Sequence, residues 1–164
     1  MLALGDALAM VILQERNFGR EEYALYHPAG ALGRRLMRVK EVMRKGDQLP
    51  VARNGASIKD VVLVMNRTPG RPGAALITDG AGRLVGIFTH GDLSRLLERS
   101  GVPDVGQPID EFMGKSPKTI GPERLVEEAQ RLLHEFRIDQ IPVIDDDRRP
   151  VGLLDVQDLL DLGV

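Results

Sequence analysis

The chain has 164 residues and a formal net charge of −2, with no Cys, no Trp, four Phe and two Tyr. The lack of cysteine excludes disulfides and thiol chemistry, and a slightly acidic chain with so few aromatic rings is not expected to bind nucleic acid. No apolar run approaches the roughly 18 residues of a membrane-spanning helix, and the composition fits a cytoplasmic protein.

The first part of the chain is predicted to be a helix followed by a loop. Residues Gly5 to Gln14 carry apolar side chains at helical spacing. His27 stands directly before Pro28, whose ring holds the preceding residue extended, although a lone histidine is more often structural than catalytic. A basic connector follows that is either solvated or in contact with an acidic neighbour or a phosphate; its members are Arg34, Arg35, Arg38, Lys40, Arg44 and Lys45.

A first β-α-β-β-α unit is predicted between Val42 and Ser100. Ser57-Ile58-Lys59-Asp60 has the capping-box pattern that begins a helix. The turn residues Asp79-Gly80-Ala81-Gly82 join two apolar runs into a hairpin. The predicted strands are Gln48 to Arg53, Ala74 to Thr78 and Leu84 to Phe88, and the second helix follows from Asp92.

The same order of elements returns at a constant offset of 66 residues, which aligns Gly86 with Gly152 and Asp92 with Asp158. The chain is therefore a tandem repeat. The turn Asp145-Asp146-Asp147-Arg148 is interpreted as solvated rather than as a metal site, because successive side chains point apart. The second unit is predicted to contain a strand from Lys118 to Ile120, a helix from Pro122 to Phe136, and strands from Ile141 to Asp145 and from Val151 to Leu154.

Each repeat places a polar side chain and an aspartate at a junction between a strand and a helix. Thr89-x-x-Asp92 fits a capping box. It equally fits a ligand site, because the N–H groups of a helix start attract a phosphate and a carboxylate can accept ribose hydroxyls. Both interpretations stay open. In the second repeat Asp158 is kept, but Asp155 replaces the hydroxyl, and its charge would repel a phosphate.

Three segments carry a family resemblance. They are Leu2-Ala3-Leu4-Gly5-Asp6-Ala7-Leu8-Ala9, then Tyr26-His27-Pro28-Ala29-Gly30-Ala31-Leu32-Gly33-Arg34, and then Val39-x-x-Val42-Met43. Together they closely resemble the segment that joins the sugar isomerase (SIS) domain to a pair of cystathionine-β-synthase (CBS) domains in bacterial arabinose 5-phosphate isomerases. The one departure is Ala29, where that family usually has Gly.

The resemblance implies an α+β fold made of tandem CBS domains. Two β-α-β-β-α repeats would pack as a pseudo-twofold pair, preceded by a helical and loop segment left from the SIS domain. The expected domains are 1–40 for the SIS tail and linker, 41–101 for the first CBS domain and 109–164 for the second. A homodimer of CBS pairs, and a tetramer in the full enzyme, would follow from the way such pairs commonly associate.

The resemblance also implies an activity for the longer protein. That family interconverts D-ribulose 5-phosphate and D-arabinose 5-phosphate, the first step toward Kdo, the acidic sugar of lipopolysaccharide. By position His27 resembles the family's active-site histidine. The SIS sheet that binds the sugar phosphate is not in this sequence, so the chain alone is not expected to catalyse, and no cofactor or metal is expected.

In CBS pairs that bind nucleotides, the Thr or Ser of the repeated motif touches phosphate and the Asp touches ribose. The resemblance therefore points to Thr89 and Asp92. His90, Arg137 and Asp158 are further candidates. The expected ligand is CMP-Kdo, ranked slightly ahead of AMP or ATP, because its ribose, phosphate and carboxylate match these side chains. The alternatives are an adenylate sensor and a purely structural module that only holds subunits together.

Overall fold

The computed structural model describes residues 11, 12, 15, 37–100 and 104–162. Val11, Ile12 and Glu15 are helical. The rest of the helix predicted near the start of the chain lies outside the described residues, as does the candidate His27.

The first repeat has the predicted order of elements. Helix α2 begins where expected, because the Ser57 hydroxyl oxygen accepts a hydrogen bond from the Asp60 N–H at 3.1 Å. Its buried face carries Ile58, Val61 and Met65 at helical spacing. The elements are α1 (Val39–Val42), a 3-10 turn (Gly46–Gln48), β1 (Val51–Arg53), α2 (Ile58–Arg67), β2 (Ala74–Thr78), β3 (Leu84–Thr89) and α3 (His90–Ser100).

The second repeat keeps the helices and the hairpin, but its first strand is reduced. The predicted strand from Lys118 to Ile120 is a single parallel bridge between Ile120 and Val143. The elements are a 3-10 turn (Ile109–Glu111), β4 (Gly114–Lys115), α4 (Val126–Phe136), β5 (Gln140–Ile144), β6 (Pro150–Asp155) and α5 (Val156–Asp161).

Helix α4 begins four residues later than the predicted start at Pro122. The connector from the beginning of the chain occupies the backbone groups there. The N–H groups of Val39 and Lys40 donate to the carbonyls of Arg124 and Pro122 at 2.9 and 3.0 Å. The connector also accepts the Val126 N–H, which donates to the Met37 carbonyl at 2.9 Å instead of to Pro122 as a regular helical turn would require.

The two repeats exchange short strands. Strand β4 lies near the start of the second repeat but pairs with β3 of the first, and Arg44 lies near the start of the first repeat but bridges Leu153 of the second. This exchange explains the repeated glycines: a Cβ on Gly86 would clash with the sulfur of Met113, and a Cβ on Gly152 with that of Met43. The motif that revealed the repeat is therefore a packing requirement.

The core follows the same exchange. One buried cluster lies in the first repeat and includes Ile109, which comes from the start of the second repeat. A second lies in the second repeat and includes Val39 from the connector. A third joins the two sheets through Leu76, Leu84 and Leu153. The predicted packing of the two repeats as a pair is thus confirmed, with each repeat completed by the other's leading segment.

No helix within the described part of the chain has both the length and the apolar character to cross a membrane.

Candidate functional site

Two clefts of similar size lie between the repeats. The first measures about 490 Å³ and contains the junction of β3 with α3. The second measures about 450 Å³ and contains α5 and the connector. Size therefore does not distinguish them, and the comparison depends on their side chains.

In the first cleft, Thr89 and Asp92 form the predicted capping box. The Thr89 N–H donates to Asp92 Oδ2 at 2.8 Å, and the Asp92 N–H donates to Thr89 Oγ1 at 3.1 Å. The Thr89 hydroxyl also donates to Asp92 Oδ2 at 2.7 Å. The structural interpretation of the motif is therefore confirmed. A ligand phosphate could still receive the hydroxyl proton, because the hydroxyl can rotate away from Asp92.

Within the described part of the chain, the second oxygen of Asp92 has only a solvent-exposed partner. Its Oδ1 accepts from the guanidinium of Arg95, one turn later in α3, at 2.5 Å. The Arg95 side chain is 67% exposed. Ion pairs of this kind contribute at most about 1 kcal/mol, so a ribose hydroxyl can replace the arginine at low cost.

The other wall of the first cleft is basic. Arg137 follows α4 in the left-handed conformation, with φ 50° and ψ 49°. Lys118 lies with its Nζ 4.1 Å from the centre of the Phe136 ring. The charged side chains lining this cleft are the basic Arg95, Lys118 and Arg137 and the acidic Asp92 and Asp139, with His90 beside them.

The second cleft is acidic, and its aspartate is already paired. Arg44 donates from Nε to Asp158 Oδ2 and from its terminal NH2 group to Asp158 Oδ1, each at 2.8 Å. These hydrogen bonds raise the pKa of Arg44 above its already high ordinary value. Glu41 and Asp161 also line the cleft, so three carboxylates face one guanidinium.

Asp155, the residue that replaces the threonine, is buried and points away from this cleft. Its Oδ1 accepts from the Gln157 N–H at 2.9 Å and caps α5. Its Oδ2 accepts from Nε2 of Gln140 at 3.2 Å. A carboxylate held in this way offers no hydroxyl to a phosphate.

The structure brings together four of the sequence-predicted residues, Thr89, His90, Asp92 and Arg137, in the first cleft. Asp158 lies in the other cleft. Arg95 could have been found from its spacing of three residues after Asp92. Lys118 could not, because its position depends on the strand exchange. For three members of the connector the alternative of contact with an acidic neighbour is confirmed, since Arg38 and Lys40 pair with Glu123 and Arg44 pairs with Asp158. Arg34 and Arg35 lie outside the described residues.

Comparisons with known proteins agree with this architecture. A family model described as the CBS domain matches residues 39–99 and 109–164. Arabinose 5-phosphate isomerase KdsD of Pseudomonas aeruginosa is 44% identical over 165 residues, which cover 99% of this chain and 49% of that protein. The chain thus spans about half the length of the curated relatives it matches.

Two solved structures show the same fold. The CBS domain pair of protein MJ0100, in complex with 5′-methylthioadenosine and S-adenosyl-L-methionine, superposes with a TM-score of 0.68 at 24% identity, covering 78% of this chain and 100% of that chain. CBSX2 in complex with AMP superposes with a TM-score of 0.65 at 23% identity, covering 77% and 95% of the two chains.

Proposed function

Because this chain belongs to the CBS domain family, we propose that its two repeats form a sensor that binds a nucleotide or a nucleotide sugar in the first cleft. The observation that carries the proposal is the joint placement of Thr89, Asp92 and Arg137 in one cleft. A helix start with a hydroxyl suits a phosphate, and a carboxylate with one weakly held oxygen suits a ribose.

The ligand we propose is CMP-Kdo. Its ribose and phosphate suit Asp92 and Thr89, and its sugar carboxylate would pair with Arg137 or Lys118 in the same cleft. The similarity to KdsD supports a regulated activity of the arabinose 5-phosphate isomerase type. In a longer protein of this kind, His27 would lie in the active site, and the sensor would report the supply of activated Kdo for lipopolysaccharide in the cytoplasm.

An adenosine nucleotide is the second candidate. It is supported by the ligands of two structural neighbours, since CBSX2 is in complex with AMP and protein MJ0100 is in complex with S-adenosyl-L-methionine and 5′-methylthioadenosine. The two candidates differ in what the basic wall recognises. CMP-Kdo carries a carboxylate beyond its phosphate, whereas AMP does not. Loss of Lys118 should therefore weaken CMP-Kdo binding more than CMP binding if the first candidate is right.

The test is calorimetric titration with CMP-Kdo, CMP, AMP and ATP in parallel, combined with the rise in melting temperature that binding to the folded state requires. Selective binding of CMP-Kdo supports the feedback sensor. Selective binding of AMP or ATP supports the adenylate sensor. If none of them binds, the pair is a structural module and the Thr89–Asp92 contact is only a helix cap.

Asp92→Ala is the variant that tests the site, and Asp60→Ala is its matched control. Asp60 makes the same two contacts with its N-cap residue, since its N–H donates to the Ser57 hydroxyl oxygen and its carboxylate accepts from the Ser57 hydroxyl, but it does not line the first cleft. Each variant should lose about 1 kcal/mol of stability, because the bonds to the carboxylate are lost while the N-cap hydroxyl still accepts from the backbone N–H. Only Asp92→Ala should abolish ribose-dependent binding, and unchanged affinity in that variant would rule out the site.

The homodimer also stays a proposal. It is supported by large apolar side chains that are exposed on α3, α4 and α5, namely Leu97, Phe136 and Leu160, which a dimer formed through these helices would cover. Sedimentation velocity would reveal the dimer, and a monomer at all concentrations would refute it.

A further inference from the structure

Arg44 and Gly114 occupy equivalent places in the two exchanged strands. Arg44 bridges Leu153 in the second repeat, and Gly114 pairs with Ile87 in the first. Leu153 and Ile87 are 66 residues apart, the offset of the repeat. Each strand runs beside one cleft, so the two clefts differ in a single respect here. The second cleft receives an arginine side chain from its exchanged strand, whereas the exchanged strand of the first cleft has Gly114 at that place and contributes no side chain.

We propose that Arg44 is the chain's own occupant of the second cleft, where its guanidinium takes the carboxylate of Asp158 and limits the pair to one ligand per chain. This inference rests on the proposed function, because it assumes that Asp92 binds a ribose in the first cleft. Asp158 has the same place in the second repeat as Asp92 has in the first, but the inference assigns it to an internal ion pair rather than to ligand binding.

The two aspartates differ in how firmly they are held. The pair between Arg44 and Asp158 is bidentate, with side chains only 16% and 22% exposed, and Arg44 also donates to the carbonyl of Gly70 at 3.2 Å. Bidentate pairs shielded from water are among the stronger polar contacts. The Arg95 partner of Asp92 makes one bond from a largely exposed side chain. Ribose hydroxyls can therefore displace Arg95 but not Arg44.

Charge determines which ligand the second cleft could take once it is freed. Without Arg44, its lining would retain the carboxylates of Glu41, Asp158 and Asp161. These would repel a phosphate. An uncharged nucleoside has the ribose hydroxyls that Asp158 can accept and no phosphate to be repelled. The space of about 450 Å³ is within the usual size of small-molecule sites.

An arginine introduced at Gly114, the place equivalent to Arg44, should close the first cleft. A Cβ on Gly114 would lie 3.5 Å from the Ile87 carbonyl oxygen and 3.6 Å from the Ile87 Cγ2, which are ordinary contacts. The backbone therefore tolerates a side chain at this position. Gly114→Arg should bring a guanidinium to Asp92 and abolish nucleotide binding, whereas Gly114→Ala should retain it. Unchanged affinity in a folded Gly114→Arg variant would overturn the inference.

The test of whether the second cleft can be opened uses Arg44→Ala, with adenosine as the probe and calorimetric stoichiometry as the readout. Asp92→Ala serves as the background because it disables the first cleft. Adding Arg44→Ala to it should change the stoichiometry for adenosine from none to about one per chain. Arg38→Ala is the matched control, since Arg38 is an exposed connector arginine that pairs with Glu123, and it should gain no adenosine site.

Melting curves establish that each variant is folded. If Arg44→Ala is not, Arg44→Ala combined with Asp158→Asn removes both charges and leaves an amide that can bond to ribose. Two nucleotides bound per wild-type chain, or no adenosine gained by a folded variant, would overturn the inference. A wild-type chain that binds no nucleotide would instead refute the proposed function. If adenosine then bound to the Arg44→Ala variant but not to the wild-type chain, the role of Arg44 would still be supported.

Discussion

At the scale of single residues, Arg137 adopts a conformation that normally favours glycine. Its φ of 50° places it in the left-handed region, which costs a residue with a side chain about 1–2 kcal/mol. Its N–H nevertheless bonds to the carbonyls of Leu133 and His134, which ends α4, and helices very often end this way with glycine. An arginine at a strained position that also lines a cleft suggests a side chain kept for binding.

Arg137→Gly should therefore separate stability from binding. Relief of strain should raise the free energy of unfolding by about 0.5 kcal/mol, after allowance for the greater freedom of glycine in the unfolded chain. Nucleotide affinity should fall about tenfold with the lost charge-assisted bond. Arg71→Gly is the control, because Arg71 has a φ of 44° at the equivalent place in the first repeat but does not line the first cleft. Equal affinity losses in the two variants would contradict the assignment of Arg137.

At the scale of elements, the repeated glycines of β3 and β6 allow the exchanged strands to approach. Gly86→Ala should destabilise the fold by about 1–3 kcal/mol, because a Cβ would overlap Met113 and approach the Gly114 carbonyl oxygen to 3.2 Å. Gly80→Ala, in the hairpin turn, has nothing within 4 Å and should be neutral. Urea denaturation measures both, and equal stabilities of the two variants would show that the strand contact is not tight.

The elements that were predicted from sequence are those with local signals. Ser57 and Asp60 mark the start of α2, and the turn at Asp79 joins β2 to β3. The exchanged strands were missed because Gly114–Lys115 has only two residues and no alternating pattern. The late start of α4 was missed for a related reason, since the connector that occupies its first turn comes from more than 80 residues earlier in the chain.

In the candidate site, too, contacts within a local motif could be predicted from sequence and contacts between distant segments could not. Thr89 and Asp92 lie within one motif, so their contact follows from helix-capping chemistry. Arg137 is a candidate from sequence because it shortly precedes the buried strand that begins at Ile141. Lys118 reaches the cleft only because the chain crosses between the repeats. The pairing of Asp158 with Arg44 joins residues 114 apart. Sequence alone does not reveal such a contact, because side-chain partners at that distance depend on the tertiary fold.

At the scale of the whole molecule, the exchange makes each repeat depend on a distant segment. Val39, at the start of the connector, is fully buried in the core of the second repeat. Ile109, at the start of the second repeat, is fully buried in the core of the first repeat. Lys40 adds an exposed ion pair to the first of these attachments, and its hydrogen bond lowers the pKa of Glu123. An upstream domain would therefore be attached most directly to the second repeat.

Val39→Ala should remove about 2 kcal/mol of packing and increase hydrogen exchange first in α4 and β5 of the second repeat, although Val39 lies at the start of the first repeat in sequence. Ile109→Val should do the reverse and expose α2 and β2. Each local opening should stay below the global unfolding energy, because the shared cluster of Leu76, Leu84 and Leu153 holds the sheets together. Hydrogen exchange with mass spectrometry resolves these segments. If Val39→Ala exposed α2 before α4, the connector would not be completing the second repeat, and a signal from the first cleft would have to reach an upstream domain by another route.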